Sequence, residues 1–233
     1  MHEKRIAFKG NYKFKRKSEG KFIVVPSPGP HPKDMCIPLG VIIRDFLNYG
    51  ENMREARNII NSGKILIDGK VKKDHRYPVG LFDLIEIPDS SQLFRILPGK
   101  KYLELEEVPQ KEKGLKICRV DNKTVIKGGK IQLNLHDGKN ILTDKGDYKT
   151  GDSILVEIPK LKIKKHIKRK EGSVCIIIRG ENKGKIGKIK KIEKTEGSIT
   201  NRVTVEIEKR IVSLPEKFIF VIGEKEPEIK VNK

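Results

Sequence analysis

Tryptophan is absent from this chain, cysteine occurs three times, and acidic residues are heavily outnumbered. The cysteines, Cys36, Cys118 and Cys175, are far apart, odd in number and form no Cys-x-x-Cys pair. That spacing excludes zinc ribbons and redox dithiols and reads as reduced, buried thiols of a cytosolic protein. The five histidines, His2, His31, His75, His136 and His166, have no metal-ligand spacing. No apolar run approaches the length of a membrane span, and the charged N-terminus precedes no signal-peptide core, so a cytoplasmic location is expected. Catalytic signatures are missing too. Gly180 to Ile186 is one residue short of a Walker A loop and ends in Lys-Ile, while Gly146 to Ser153 carries Asp152 where the lysine must stand. There is no Gly-x-Ser-x-Gly elbow. His136 beside Asp137 is explained by an Asp-Gly turn. The reading is a non-enzyme with no cofactor, no metal and no small-molecule substrate.

What the chain has is positive charge. Lys and Arg number 51 against 31 Asp and Glu, a formal charge of +20 with an isoelectric point near 9.8. Such an excess needs an anionic partner or it strains the compact state by self-repulsion. The 233 residues are 36% hydrophobic, which suits two or three small domains with modest cores. Residues 1–36 form a basic arm with nine Lys/Arg against three Asp/Glu. Phe8, Tyr12, Phe14 and Phe22 are interleaved there with lysines. Spaced aromatics among cations fit a phosphate backbone with unpaired, stacked bases; docking of the rings on the body fits equally well. Pro26, Pro28, Pro30 and Pro32 make a stiff connector.

Residues 37–90 read as two short helices, a hairpin and a strand. Leu39, Ile42, Ile43, Phe46 and Leu47 make one apolar stripe of a helix stopped by Gly50. Asn52 with Glu55 three residues on resembles a capping box for a second helix, whose buried side is Met53, Ala56, Ile59 and Ile60 before Gly63. Lys64 to Ile67, the Asp68-Gly69 turn and Lys70 to Lys73 form a hairpin, followed by an apolar strand from Leu81 to Ile87. Arg54 and Arg57 share a helix face. Arg44, Arg54-Glu55-Ala56-Arg57, Ile60 and Gly63 to Lys70 resemble the RNA-binding module named after bacterial small-subunit ribosomal protein four. That family usually closes with Gly-Asp before its last strand, where this chain has Gly80-Leu81-Phe82-Asp83. From Ile37 to Asp89 eight Lys/Arg meet eight Asp/Glu, so binding requires the charges to be sorted onto different faces.

Residues 91–160 carry short strands punctuated by glycine turns, including Gln92 to Leu97, Lys101 to Val108 and the alternating Lys130 to Leu135, and read as a barrel-like β domain. Lys160 to Lys170 is a basic seam without an acid. It opens residues 161–223, where Val174 to Ile178 is apolar on both faces. Gly180 to Ile189 then alternates glycine with lysine, and resembles the KOW motif of ribosomal proteins and transcription elongation factors. Residues 224–233 read as a polar tail.

Taken in order, these modules resemble the archaeal and eukaryotic-type small-subunit ribosomal protein four family. Ser27-Pro28-Gly29-Pro30-His31, Ile67 to Val71, Gly129 to Gly138 and Ile219 to Gly223 carry the likeness, and the short C-terminus favours the archaeal branch. The implied architecture is an α+β multi-domain protein: a helix-helix-hairpin RNA-binding module, a β-barrel-like central domain and a C-terminal SH3-like KOW barrel. The implied role is structural. The protein would bind ribosomal RNA of the small subunit beside neighbouring small-subunit ribosomal proteins, supporting subunit assembly and translation. The alternatives are a non-ribosomal translation or transcription factor with a KOW domain, or an RNA-modifying enzyme; no Gly-Arg-Leu-Asp-like catalytic context of a pseudouridine synthase is present. The groups expected to contact RNA lie in four places. On the arm they are Lys4, Arg5, Lys9, Lys13, Lys15, Arg16, Lys17 and Lys33. On the helical module they are Arg44, Arg54, Arg57, Lys64, Lys70, Lys72 and Lys73. The seam adds Lys162, Lys164, Lys165, Lys168, Arg169 and Lys170, and the loop adds Lys183, Gly184, Lys185 and Lys188.

Overall fold

Glycine and proline punctuation cuts this chain into short antiparallel strands, and burial of their apolar faces decides which of them pair. The computed structural model describes every residue except 1, 9, 15–19, 145, 194–199, 209, 232 and 233. Lys9, Lys15, Arg16 and Lys17 of the expected contacts therefore lie outside the described residues. The chain divides into two units, Met1–Leu97 with Lys101–Gly114, and Pro98–Lys100 with Leu115–Lys233.

In the first unit the arm is built into the fold. His2–Lys4 pairs with Phe22–Val24, with Glu3 opposite Ile23, and Phe8 and Tyr12 are 3% and 1% exposed. The docked alternative therefore holds for these two rings, which cannot stack on RNA bases. Phe22 is half exposed, with Lys21 over its ring. After the proline connector, Cys36–Pro38 pairs with Pro78–Gly80.

The first expected helix is shorter and wider than its stripe suggests. Leu39–Val41 is α-helical, and Ile42–Phe46 is a π-turn closed by Leu47 N–H donating to the Ile42 carbonyl at 3.0 Å. Leu39, Ile42 and Ile43 are buried, whereas Phe46 and Leu47 are half-buried. The second helix, Met53–Asn61, starts where expected. Asn52 Oδ1 accepts from the amides of Arg54 and Glu55 at 2.9 and 3.0 Å. Asn52 thereby satisfies two orphan donors of the first turn, and the Glu55 carboxylate reaches back to accept from the Glu51 amide at 2.8 Å.

The hairpin Leu66–Ile67 and Lys70–Val71 turns through Asp68 and Gly69, both at positive φ (52° and 72°), the backbone of a type I′ turn. The following strand is Leu84–Ile87 rather than Leu81 to Ile87. Asp83 explains the difference. Its carboxylate accepts from Gly80 N–H at 2.9 Å and pairs with His31 at 2.9 Å, which holds residues 80–83 in a turn. The His31 ring occupies the space a β-carbon on Gly80 would need, 2.2 Å away.

Gln92–Pro98 and Leu103–Glu107 complete a five-stranded sheet in the order Lys70–Val71, Leu66–Ile67, Leu84–Ile87, Gln92–Pro98, Leu103–Glu107. The Pro88–Ser90 turn ends at Ser91 with φ 52°, and it folds the chain back onto the open edge of Leu84–Ile87. Pairing satisfies backbone groups that an edge would leave bare.

The second unit contains two antiparallel five-stranded sheets. In one, Leu115–Val125 lies centrally between Ile131–Leu135 and Ser153–Glu157. Cys118, Val120, Leu133, Leu135, Ile141, Ile154 and Val156 form its core. Lys162–Ile167, inside the basic seam, is the edge strand of this sheet. The other sheet runs Arg210–Pro215, Arg202–Ile207, Ile186–Glu193, Val174–Ile177, Ile219–Gly223. Part of the polar tail docks on this sheet. Glu228 N–H donates to the Ile222 carbonyl at 2.9 Å, and Ile229 is buried.

Candidate nucleic-acid interface

The helical module sorts its balanced charges by position. Arg54 and Arg57 project from the helix, and Lys70 and Lys73 from the hairpin, all exposed; Lys72 lies over the Tyr77 ring at 4.6 Å. None of these five has a carboxylate partner among the described residues. Gly63 ends the helix beside Lys73, whose Cε lies 3.5 Å from where a β-carbon would stand. Lys73 of the hairpin segment therefore sits beside the C-terminal end of the helix. Burial and then the Arg57 charge hold His75 below its ordinary pKa. The acids are used elsewhere: Glu55 accepts from the Glu51 backbone amide and the Asn52 side-chain amide before the helix, Asp68 accepts from Leu84 N–H at 3.1 Å, and Asp89 takes Lys64 at 2.6 Å. Arg44 is held by Asp45 through two bonds at 2.5 and 2.8 Å. Lys64 and Arg44 thus differ from the other five.

The seam reads differently in three dimensions. No acid occurs within Lys160 to Lys170, yet distant acids come to it. Lys164 meets Glu157 at 3.6 Å, Lys165 Glu228 at 2.7 Å, Lys168 Asp147 at 3.0 Å and Lys170 Glu224 at 3.4 Å, while Arg169 pairs with Glu216. Hydrogen bonding to Glu228 raises the pKa of Lys165, and hydrogen bonding to Lys168 lowers that of Asp147. Lys162 is exposed and without a carboxylate partner among the described residues. The expected bare run of cations is therefore largely neutralised, because strand pairing and the docked tail bring acids from residues 147–228. Exposed pairs of this kind contribute little to stability, and phosphate can compete for them.

Two of the expected contacts are buried. Lys183 is 6% exposed and Arg5 4%. Arg5 Nε donates to the Phe22 carbonyl at 3.2 Å, so its guanidinium closes the arm ribbon. Lys185 and Lys188 are exposed. Gly184 has φ +83°, and a β-carbon there would meet the Pro98 carbonyl oxygen at 2.7 Å; it serves a tight turn and a close backbone approach. On the arm, Lys4 and Lys13 are exposed, and Lys33 pairs with Glu3 at 2.6 Å.

Sequence reasoning missed two features. One is a buried ion pair, Lys116 with Asp137 at 2.8 Å, both essentially inaccessible. Burial would raise the Asp137 pKa, but the Lys116 charge and then His136 and Lys139 outweigh it and hold the carboxyl well below the usual range. Cys118, His136 and Asp137 form a donor trio here. Lys116 and Lys139, at 2.8 and 3.1 Å from the same carboxylate oxygen, already supply its cations. The other is a cavity of about 600 Å³ in the first unit, lined by Lys13, Phe14, Arg44, Asp45, Phe46, Asn48, Gly50 and Glu51. Only the π-turn could have signalled it, since such turns are frequent at functional sites.

All three cysteines are buried. Burial, then Asp34 and Asp83, pushes the Cys36 thiol up to about 12, and burial does the same for Cys175. Among the described residues no helix is long and apolar enough to cross a membrane.

Comparison with known proteins agrees with this geometry. Residues 43–85 match the S4 domain, 90–163 the ribosomal family S4e, and 171–206 the KOW motif. The small ribosomal subunit protein eS4 of Archaeoglobus fulgidus is 45% identical over 228 residues, covering 97% of this chain and 94% of that protein. Its counterpart in Methanocaldococcus jannaschii is 41% identical over 239 residues, covering 99% and 97%. The crystal structure of the 30S ribosomal protein S4e from Thermoplasma acidophilum superposes with a TM-score of 0.71 at 32% identity, covering 82% of this chain and 97% of that one. With this identity sustained across nearly its full length, the chain belongs to the small ribosomal subunit protein eS4 family, in the company of archaeal members.

Proposed function

We propose that this protein is a structural component of the small ribosomal subunit that binds ribosomal RNA and supports subunit assembly and translation. The observation that carries this reading is the group of exposed cations on the S4 domain, Arg54, Arg57, Lys70 and Lys73 with Lys72, in a member of a ribosomal protein family. Cations without intramolecular acids are the ones available to neutralise phosphates and release the counterions condensed on an RNA backbone. The family is one of structural proteins, which removes the RNA-modifying enzyme. Partners are then small-subunit ribosomal RNA and adjacent ribosomal proteins, in the cytoplasm.

Within this reading the S4 domain supplies the first RNA contact. Lys185 and Lys188 of the KOW segment, Lys4 and Lys13 of the arm, and Lys162 of the seam supply further ones. The paired seam cations exchange their carboxylates for phosphate only where RNA is held close. Burial of Val174–Ile177 and Ile219–Gly223 along their whole length supports closure of the C-terminal sheet as a small SH3-like barrel. Sedimentation tests the assignment. Tagged protein expressed in an archaeal host is expected to remain with small subunits through a high-salt wash; release into the supernatant would instead indicate an exchangeable factor.

A further inference from the structure

The cavity beside the π-turn has a composition unlike a simple phosphate patch. Its volume of about 600 Å³ is in the range of small-ligand sites. Arg44 and Asp45 satisfy each other across two hydrogen bonds. Three polar side chains on its lining are then left without an intramolecular partner among the described residues: the Lys13 ammonium, the Asn48 amide and the Glu51 carboxylate. Two rings, Phe14 and Phe46, also line it. Phe14 is held edge-on by Phe8 at 5.1 Å. Backbone geometry maintains the rim, since Asn48 sits at φ 55°, a conformation asparagine tolerates better than most residues.

The four charged groups on the lining, Lys13, Arg44, Asp45 and Glu51, sum to zero, which disfavours both an isolated phosphate and a bare cation. Rings with an amide, a carboxylate and one ammonium suit a flat heterocycle that carries both donors and acceptors and bears a phosphate. A carboxylate further selects among bases. Guanine alone places two donors, N1–H and the N2 amino group, side by side to meet two carboxylate oxygens. Adenine and cytosine present an acceptor beside their amino group, and uracil flanks its one donor with two acceptors.

We propose that this cavity captures a single unpaired guanine nucleotide of the bound RNA. Phe14 and Phe46 stack on the base, the Glu51 carboxylate accepts from N1–H and the N2 amino group, and Lys13 meets the phosphate. This rests on the RNA-binding reading but adds a base-specific site to a surface otherwise built to meet backbone.

The experiment compares six-nucleotide oligouridylates carrying one central guanine, inosine or adenine, with small-subunit ribosomal RNA as a separate arm, using the full-length protein at low salt. The guanine oligomer is expected to bind best. Inosine, lacking the N2 amino group, and adenine should each lose roughly 5- to 150-fold, the scale of one good bidentate base contact. Glu51→Gln should erase this preference while leaving the thermal melt unchanged, because Glu51 is exposed. Phe46→Leu, checked by melting to be folded, should weaken all three oligomers, since a stacked base contributes on a similar scale. Equal affinity for the three oligomers, or binding of ribosomal RNA with none of the oligomers, overturns the guanine site and leaves the RNA reading standing. Failure to bind ribosomal RNA as well overturns both.

Discussion

At the scale of single residues, burial separates groups that look alike in the sequence. Lys183 and Lys185 are neighbouring lysines of one glycine-rich loop, but Lys183 is buried and Lys185 exposed. Lys183→Ala is therefore expected to lower stability by roughly 1–3 kcal/mol through the partners it leaves unsatisfied. Lys185→Ala should melt like the wild type and reduce only RNA affinity. A melting curve beside an RNA titration distinguishes them, and equal melts would place Lys183 outside the core. Gly184→Val should cost at least about 1–3 kcal/mol, from a branched residue at positive φ, with the Pro98 carbonyl in its way. The Lys116–Asp137 pair gives a pH dependence. Asp137 titrates below its unfolded value near 3.9, so its stabilisation is fully present above about pH 5 and is lost as pH falls through the unfolded pKa towards the folded one. Denaturant titrations between about pH 5 and 2 should show a steeper loss in wild type than in Asp137→Asn. Lys116→Met, which removes the buried cation and leaves the Asp137 carboxylate to Lys139, should cost up to roughly 3 kcal/mol at neutral pH. Nothing in the composition announced this pair. Two charged residues 21 apart are unremarkable until strand register brings them together inside a core.

At the scale of elements, local patterns were legible wherever the physics is local. The Asn52 cap, the glycine ending the helix and the Asp68-Gly69 turn each depend on a few consecutive residues, and each forms where the spacing indicates. The Leu39 stripe marked the buried face, but not that its last part winds as a π-turn, because periodicity of that length does not resolve one turn type from another. Strand partnership was the weaker reading. Gln92–Pro98 has the same alternation whether it opens a barrel or closes the preceding sheet, and the unpaired edge of Leu84–Ile87 decided. The element expected to dominate RNA affinity is Met53–Asn61 with its hairpin. Arg54→Ala with Arg57→Ala should leave the fold intact and reduce the slope of log affinity against log salt by roughly 2. Lys165→Ala with Lys170→Ala, whose cations are already met by Glu228 and Glu224, should change it less. The reverse order would make the seam the principal contact.

At the scale of the molecule, a formal charge of +20 makes salt dependence the general property to measure. If roughly 6–10 phosphates are engaged, affinity for small-subunit ribosomal RNA should fall by about three to five orders of magnitude between roughly 50 and 200 mM salt, the scale set by duplex DNA. An affinity flat across that range would remove the electrostatic basis of the interface. The sequence by itself determined the class of partner, the order of the modules and the family, because net charge, capping and turn chemistry, and glycine spacing act through composition and near neighbours. Tertiary structure decided which cations face outward with no acid beside them. It buried Arg5 and Lys183, buried the Phe8 and Tyr12 rings of the arm, carried acids from residues 147–228 to a seam that contains none, and assembled residues 13–51 around a cavity. The physical reason is the range of the interactions. Neutralisation and burial depend on which residues meet across the sheets, and that pairing is chosen by apolar faces and open strand edges, far from the charges whose fate it settles.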